Sequence, residues 1–293
     1  MKHVPPLIAI VGPTAVGKTA LSLELAQRLN AEIVSADSRQ VYRRMDIGTA
    51  KPTRAERATV MHHLIDIVDP DDEFSLAIYV DRARTALEDI TARGKVPLLV
   101  GGTGQYLAAV LEGWQIPRVP PQPELRAALE QEVHAYGAMA LHARLAQVDP
   151  LAAAAIMPEN VRRVIRALEV YLTTGKPISV QQTRQPPPYR IQTLWLQVPR
   201  AELYGRIDAR VDAMMASGLL AEVQALLEAG YDWTLPAMSG LGYIQFRPYF
   251  AGSTDVASCV QQLKYDTHAF ARRQASWFKR LPNIVTNERD LMV

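Results

Sequence analysis

Gly12-Pro13-Thr14-Ala15-Val16-Gly17-Lys18-Thr19 is a complete G-x-x-x-x-G-K-[ST] phosphate loop, and its flanks decide how it folds. The residues before it, Leu7 to Val11, are apolar and β-leaning. After it, Leu21, Leu23, Leu25, Ala26 and Leu29 recur at helical spacing. Strand, turn and helix are the setting in which this loop binds a polyphosphate. Gly12 and Gly17 admit the tight turn and the close approach of backbone to an anion. The N–H groups and dipole at the start of the following helix attract phosphate. Lys18 adds a point charge for the terminal phosphates, and the Thr19 hydroxyl is a candidate Mg²⁺ ligand. The loop specifies a polyphosphate; it does not specify ATP.

Outward from the loop, further β-rich apolar segments lie at 32–35, 63–67, 96–100 and 193–198. The first of these alternate with helical patterns at 19–29 and 76–93, which predicts a parallel sheet covered on both faces. Ligands of such sheets bind beyond the carboxyl ends of the strands. Three motifs follow strands in this way: the phosphate loop, Asp37-Ser38-Arg39-Gln40 and Gly101-Gly102-Thr103-Gly104. The Asp37 strand is expected beside the phosphate-loop strand. From Gly113 the character changes. Pro117, Pro120, Pro121 and Pro123 mark a linker, helical patterns run from Glu124 to about Thr174, and Pro186-Pro187-Pro188 marks a return to the sheet. Asp149-Pro150 reads as a helix start and Gly175 as a helix stop. The expected organisation is an α/β core at 1–115, a helical insertion at 116–190 and the rest of the core, mostly helical, at 191–293.

The 293 residues carry a net charge of +2, so no global field announces a partner. Only seven of the 32 cations are lysine, leaving 25 arginines, the better bidentate partner for phosphate. A single cysteine, Cys259, rules out an internal disulfide and a cysteine-rich zinc site. No stretch approaches eighteen apolar residues and the N-terminus lacks a signal-peptide pattern, so a soluble, cytoplasmic protein without a membrane partner is expected.

Asp37 reads equally as a general base or magnesium-shell ligand and as the cap of a turn. At the end of the 96–100 strand a motor ATPase would place an acid; here stand glycine and threonine, which let a ligand approach the backbone or simply make a tight turn. Arg162, Arg163 and Arg166 form a basic group on one helix, with Glu169 available to pair with Arg166. Arg272, Arg273, Lys279 and Arg280 flank Trp277 and Phe278. Cations interleaved with aromatics suit single-stranded RNA, although a Trp-Phe pair is also ordinary helix core. Arg206 and Arg210 lie four apart on a helix whose core stripe is Ile207, Val211 and Met214, and one of the two can reach the phosphate crevice.

Taken in order, GPTAVGKT at 12–19, SADSRQVYRRMDIGTAKP at 35–52, HHLIDI at 62–67, VGGTGQYL at 100–107, RRVIRALEVY at 162–171 and ARRQASWFKR at 271–280 resemble the tRNA dimethylallyltransferase, or tRNA isopentenyltransferase, family. The resemblance covers nearly the whole chain, and DSRQVY followed by DIGTAKP is its most specific part. It implies a P-loop NTPase-like core with a helical insertion. The implied activity is transfer of a dimethylallyl group from dimethylallyl diphosphate to N6 of adenosine 37 of tRNA, with Mg²⁺ as cofactor and the anticodon stem-loop as partner. A monomer is expected. By resemblance, residues 12–19 hold the diphosphate, Asp37 is the general base, Arg210 assists Lys18 and Thr19 with the leaving group, and Thr103 contacts substrate near the reaction centre. Contacts to tRNA are implied at Asp37, Ser38, Arg39, Gln40, Thr103, Arg126, Arg162, Arg163, Arg166, Gly242, Tyr243, Arg272, Arg273, Gln274, Trp277, Lys279 and Arg280. Two positions depart from the family pattern: His268 stands where arginine is usual and Ile244 where a basic residue is common, each removing a cation from the expected RNA surface. No C-terminal zinc finger is expected. The alternatives are a prenyltransferase acting on free AMP, a P-loop small-molecule kinase with an arginine-rich lid, and a non-enzymatic RNA-binding module, which would leave the phosphate loop and Asp37 without purpose.

Overall fold

The computed structural model describes residues 4–286; residues 1–3 and 287–293, at the ends of the expected first and third segments, lie outside it. Six strands form one parallel sheet: β1 (Pro6–Val11), β2 (Ala31–Ala36), β3 (His62–His63), β4 (Val96–Gly101), β5 (Arg190–Trp195) and β6 (Ile284–Val285). Their order across the sheet is β3-β2-β4-β1-β5-β6. Leu7 through Val11 have no exposed surface, and neither do Leu98 and Leu99. A strand covered on both faces needs a continuous apolar run rather than an alternating one, which is what these segments carry. The chain divides into two compact units, one running to Leu111 and resuming at Pro187, the other Glu112–Pro186.

The first unit contains the sheet together with α1 (Lys18–Arg28), α2 (Arg54–Thr59), α3 (Leu76–Ala92) and α4 (Gly104–Leu111). Local chemistry sets the helix starts. Thr53 and Glu56 form a reciprocal capping box on α2, and the Ser75 hydroxyl accepts from the Ile78 N–H at the start of α3. Gly101 of β4 pairs with Val11 of β1 on one side and Ala36 of β2 on the other, so these three strands end level. The three loops singled out in the sequence therefore leave the same edge of the sheet.

Three expectations need correction. β2 is not beside β1, because β4 lies between them. The strand expected at 63–67 is only His62–His63. Leu64 and Asp66 adopt φ of 64° and 56°, a left-handed backbone that cannot continue a ladder. β5 begins three residues early, since Arg190–Trp195 pairs one-to-one with Pro6–Val11.

The second unit is helical: α5 (Pro123–Tyr136), α6 (Ala138–Val148), α7 (Pro150–Ala155), α8 (Val161–Thr174) and α9 (Ile178–Gln181). Leu129, Leu141, Leu145, Val164 and Leu168 are among the residues of its own core. Asp149 caps α7 through the Ala152 N–H, and Gly175, with φ of 69°, ends α8 in the left-handed conformation. The two ends of the unit run side by side. Gln115 N–H donates to Thr183 O, and Gln185 N–H to Gly113 O.

Glu169 has no exposed surface, yet accepts from Arg126 Nε and Nη2 at 2.7 and 2.9 Å, Arg166 Nη1 at 2.6 Å and the Gln122 N–H at 2.8 Å. Burial alone would raise its pKa, but the two guanidiniums outweigh burial and hold it below the ordinary value of 4.5. Its stabilising contribution is therefore complete above that value and disappears as pH falls through the depressed one. Glu169→Ala is expected to cost about 2–3 kcal/mol, because several charge-assisted bonds are lost while both arginines can still turn to water. Thermal unfolding of the variant should show a lower melting temperature at pH 7, with the gap to wild type closing in acid.

After the return at Pro187 come α10 (Arg200–Ala216), α11 (Leu219–Glu228), α12 (Arg247–Phe250) and α13 (Val256–Phe278). They share a second core with the loop after β2, in which Met45, Tyr243 and Phe246 are fully buried. Among the described residues, no helix is long and apolar enough to cross a membrane.

Candidate active site

Gly17, with φ of 106°, caps α1 in a conformation that L side chains rarely adopt. A Cβ at Gly12 would meet Leu196 O at 2.9 Å. Lys18 is folded inward, its Nζ donating to Gly12 O at 2.8 Å and Pro13 O at 2.9 Å. Burial lowers the ammonium's pKa to about 8; the Asp37 charge opposes this shift and the Arg210 charge adds to it. Lys18, Asp37 and Arg210 thus share one electrostatic site, although their sequence separations show no pattern.

Asp37 follows β2. Its Oδ1 accepts from the N–H groups of Arg39 at 2.8 Å and Gln40 at 3.4 Å, so one carboxyl oxygen caps the turn. The residue also lines a pocket. That pocket spans about 410 Å³, the open solvent at its mouth included. Lys18, Thr19, Asp37 and Gln40 supply its polar side, and Ile33, Pro52, Ile65 and Val100 its apolar side. Tyr79 and Tyr106 stack at 3.8 Å, and the Tyr79 hydroxyl donates to Ser35 O, Ser35 being one of the lining residues. Burial, assisted by the Asp37 charge, raises both phenol pKa values and keeps them neutral.

Thr103 Oγ1 accepts from the Ser38 N–H at 3.0 Å, tying the Asp37 turn to the end of β4. The glycines around it serve close packing within the protein. A Cβ at Gly101 would lie 2.2 Å from Ala36 O, one at Gly102 2.4 Å from Gln274 Nε2, and one at Gly104 2.8 Å from the Trp277 ring. The close neighbour expected there is thus backbone and side chain of the same chain. Gln274, 5% exposed, accepts from the Thr14 N–H at 2.9 Å and donates to Gly102 O at 2.8 Å. It acts by fastening the phosphate loop to the β4 turn. Tyr243 has no exposed surface and donates to Glu222, so it reaches the site only through the loop it packs. Gly242 packs against Gly48 in that same contact. Arg39 is committed to the carbonyls of Pro236 and Ala237 and to Ser239.

Two functional supports escaped the sequence reading. Glu222 accepts from the N–H groups of Asp46, Ile47 and Gly48, at 2.8–3.0 Å. Lys51, 8% exposed, donates to Tyr42 O, Asp46 and Asp66. Together they fix the 46–52 loop, whose Thr49 and Ala50 carbonyls accept from Gln40. Glu222 lies about 175 residues from its partners, so no local pattern could have announced it.

The arginines separate into groups. On α10 the buried stripe is Leu203, Ile207 and Val211; Arg206 donates to Val16 O, and Arg210 is the half-buried neighbour of Lys18. On α13 Arg272 and Arg273 are exposed, as are Lys279 and Arg280 beyond it, whereas Phe278 is buried and Trp277 half-buried. In the helical unit Arg162 and Arg163 are exposed on α8, while Arg126 and Arg166 hold Glu169. His268 does not face open solvent. Its ring stacks on Tyr204 at 4.0 Å, and its Nε2 lies 2.8 Å from Asp208 Oδ1.

No group of three or more His, Cys, Asp or Glu suited to a metal occurs among the described residues. Thr19 and Asp37 do line one pocket. This oxygen set fits a hard divalent ion held largely by substrate phosphates. Because Lys18 titrates near 8 in the free protein and must be charged to attract a diphosphate, kcat/KM for a diphosphate donor should fall above about pH 8. A pH profile of kcat/KM checks this. A profile that stays flat to pH 10 would contradict it.

The family described as IPP transferase matches residues 40–281, and that described as isopentenyl transferase matches residues 5–66. The tRNA dimethylallyltransferase of Roseiflexus castenholzii is 70% identical over 285 residues, 97% of this chain and 93% of that protein. The enzyme of the same name from Dehalococcoides mccartyi is 46% identical over 94% of this chain and 84% of its own length. Among solved structures, the full-length tRNA isopentenylpyrophosphate transferase of Bacillus halodurans superposes with a TM-score of 0.71 at 42% identity, covering 96% of this chain and 89% of its own. A eukaryotic dimethylallyltransferase described as acting on tRNA gives a TM-score of 0.80 at 31% identity, over 94% of this chain and 70% of its own. With its P-loop NTPase-like parallel sheet and these matches along nearly its whole length, the chain belongs to the IPP transferase family.

Proposed function

We propose that this protein is a tRNA dimethylallyltransferase, moving a dimethylallyl group from dimethylallyl diphosphate to N6 of adenosine 37, beside the anticodon. The observation that carries the reading is one pocket with an anion cradle, a carboxylate and an apolar wall: Lys18 and Thr19, then Asp37, then Ile33, Ile65 and Val100. A kinase needs the first two; a prenyl chain also needs the third.

The exocyclic amine of adenine is a weak nucleophile, since its lone pair is delocalised into the ring. Asp37 takes the N6 proton as the new N6–carbon bond forms, its Oδ1 being oriented by the Arg39 and Gln40 N–H groups. The carbon–oxygen bond of the donor breaks, and its electron pair leaves on the diphosphate. Lys18 and Arg210 receive that developing charge, together with the N–H groups that open α1. Thr19 with the diphosphate oxygens would hold Mg²⁺, which supplies further neutralisation of the leaving group. Thr103 keeps the Asp37 turn in place through Ser38. The adenine must leave the loop stack to enter the pocket. Exposed arginines on α8 and the cations of α13 bind the RNA backbone. The proposed enzyme works as a monomer in the cytoplasm.

Ligand-dependent thermal stabilisation tests the donor. Dimethylallyl diphosphate with Mg²⁺ should raise the melting temperature more than ATP does at equal concentration. Strong protection by ATP with none by the prenyl donor would point to a kinase instead.

A further inference from the structure

Outside the pocket, one cluster on the outer side of the phosphate loop is rich in hydrogen-bond donors and poor in acceptors. Tyr204 on α10 packs against the small core containing Ala15 and Val16. Its hydroxyl oxygen accepts from Arg200 Nε at 3.0 Å and from Arg272 Nη1 at 2.9 Å. Two guanidiniums therefore converge on one phenol oxygen. Neither makes an ion pair with a carboxylate among the described residues. The nearby acids are engaged elsewhere, Glu202 with Arg206 and Asp208 beside His268. Both arginines are exposed. The Tyr204 ring stacks on His268 at 4.0 Å and 7°, and the Arg200 guanidinium lies 5.1 Å from its centroid.

Each guanidinium has five N–H donors and uses one here on the phenol oxygen. With both of its lone pairs taken, the Tyr204 hydroxyl can only donate. Arg200 is also the first residue of α10, where the helix dipole adds positive character. Like charges held this close without a carboxylate call for an anion that accepts several hydrogen bonds, and a phosphate oxygen pair meets that need. Burial would raise the Tyr204 pKa, but the bonds from Arg272 and Arg200 outweigh it and lower it, as befits a strongly positive locus.

We infer that Arg200, Tyr204 and Arg272 form a binding site for one backbone phosphodiester of the RNA substrate. The inference rests on the reading of the protein as a tRNA-modifying enzyme and adds to it a strand contact on the outer side of the phosphate loop. A second source of the same chemistry is a diphosphate. The RNA source is favoured because the diphosphate has its own enclosed cations in Lys18 and Arg210, whereas these arginines stand on the open surface.

The test measures binding of unmodified tRNA to the full protein between about 50 and 200 mM salt, alongside KM for dimethylallyl diphosphate. Arg200→Gln should weaken tRNA binding several-fold and reduce the log–log salt slope by about 0.7–0.9, the share of one phosphate, with donor KM unchanged. Arg200→Glu guards against a folding artefact. An acid at the first helical position is favourable, so the variant should melt no lower than wild type while binding tRNA more weakly than Arg200→Gln. An unchanged salt slope in Arg200→Gln with undiminished tRNA affinity in Arg200→Glu would overturn the inference. So would a raised donor KM with intact tRNA binding, which would assign the site to diphosphate. A wild-type protein that neither binds nor modifies tRNA would instead defeat the underlying reading, and this inference with it.

Discussion

Asp37→Asn is expected to keep tRNA binding and to lose about 10²–10⁴-fold in kcat, the usual contribution of a positioned general base. Asparagine keeps an oxygen where Oδ1 accepts from the Arg39 and Gln40 N–H groups, so the turn survives. Only the capacity to take the N6 proton is removed. A second signature follows from the charge that is lost. Asp37 raises the Lys18 pKa against burial and against Arg210. Without it Lys18 titrates lower, and the alkaline limb of the donor kcat/KM profile should move below about 8. Single-turnover kinetics and that profile check both effects. Near-normal kcat with an unmoved limb would return Asp37 to the role of a turn cap alone.

Lys18→Met is expected to lower kcat by about 10²–10³-fold, the typical effect of losing one preorganised group that meets developing charge. Donor affinity should fall as well, while tRNA affinity stays the same. Methionine keeps most of the apolar stem. It also removes an ammonium whose enclosure is unfavourable, as its lowered pKa records. The melting temperature of the free variant should therefore hold or rise. This combination separates a chemical role from a structural one. A lysine needed only for the bonds to Gly12 O and Pro13 O would lose stability first. Steady-state kinetics beside calorimetry decides between them.

The parts legible in the sequence are those written in short-range code. The phosphate loop, the buried apolar runs of β1 and β4, the cap at Asp149 and the stop at Gly175 each depend on neighbours within a few residues. The strand order does not, because the insertion of β4 between β1 and β2 is a tertiary choice. β3 ends at His63 because Leu64 and Asp66 turn left-handed; leucine carries no signal for this and aspartate only a weak one. The glycines at 101, 102 and 104 were visible, but their neighbours Ala36, Gln274 and Trp277 were not. The pairing of Arg166 with Glu169 was readable at helical spacing. The addition of Arg126 to the same carboxylate came only with the packing of α5 on α8. Family resemblance supplied the prenyl donor and the tRNA acceptor; the residues alone spoke of a polyphosphate, a carboxylate and, at 272–280, cations and aromatics that suit single-stranded RNA.

The most direct measurement incubates the protein with dimethylallyl diphosphate, Mg²⁺ and unmodified tRNA, digests the RNA to nucleosides and weighs each one. One adenosine per tRNA is expected to gain a single C5H8 unit, with one diphosphate released for each. Unmodified tRNA, with AMP prenylated or phosphate moved from ATP to a small acceptor when these are supplied in its place, would contradict it.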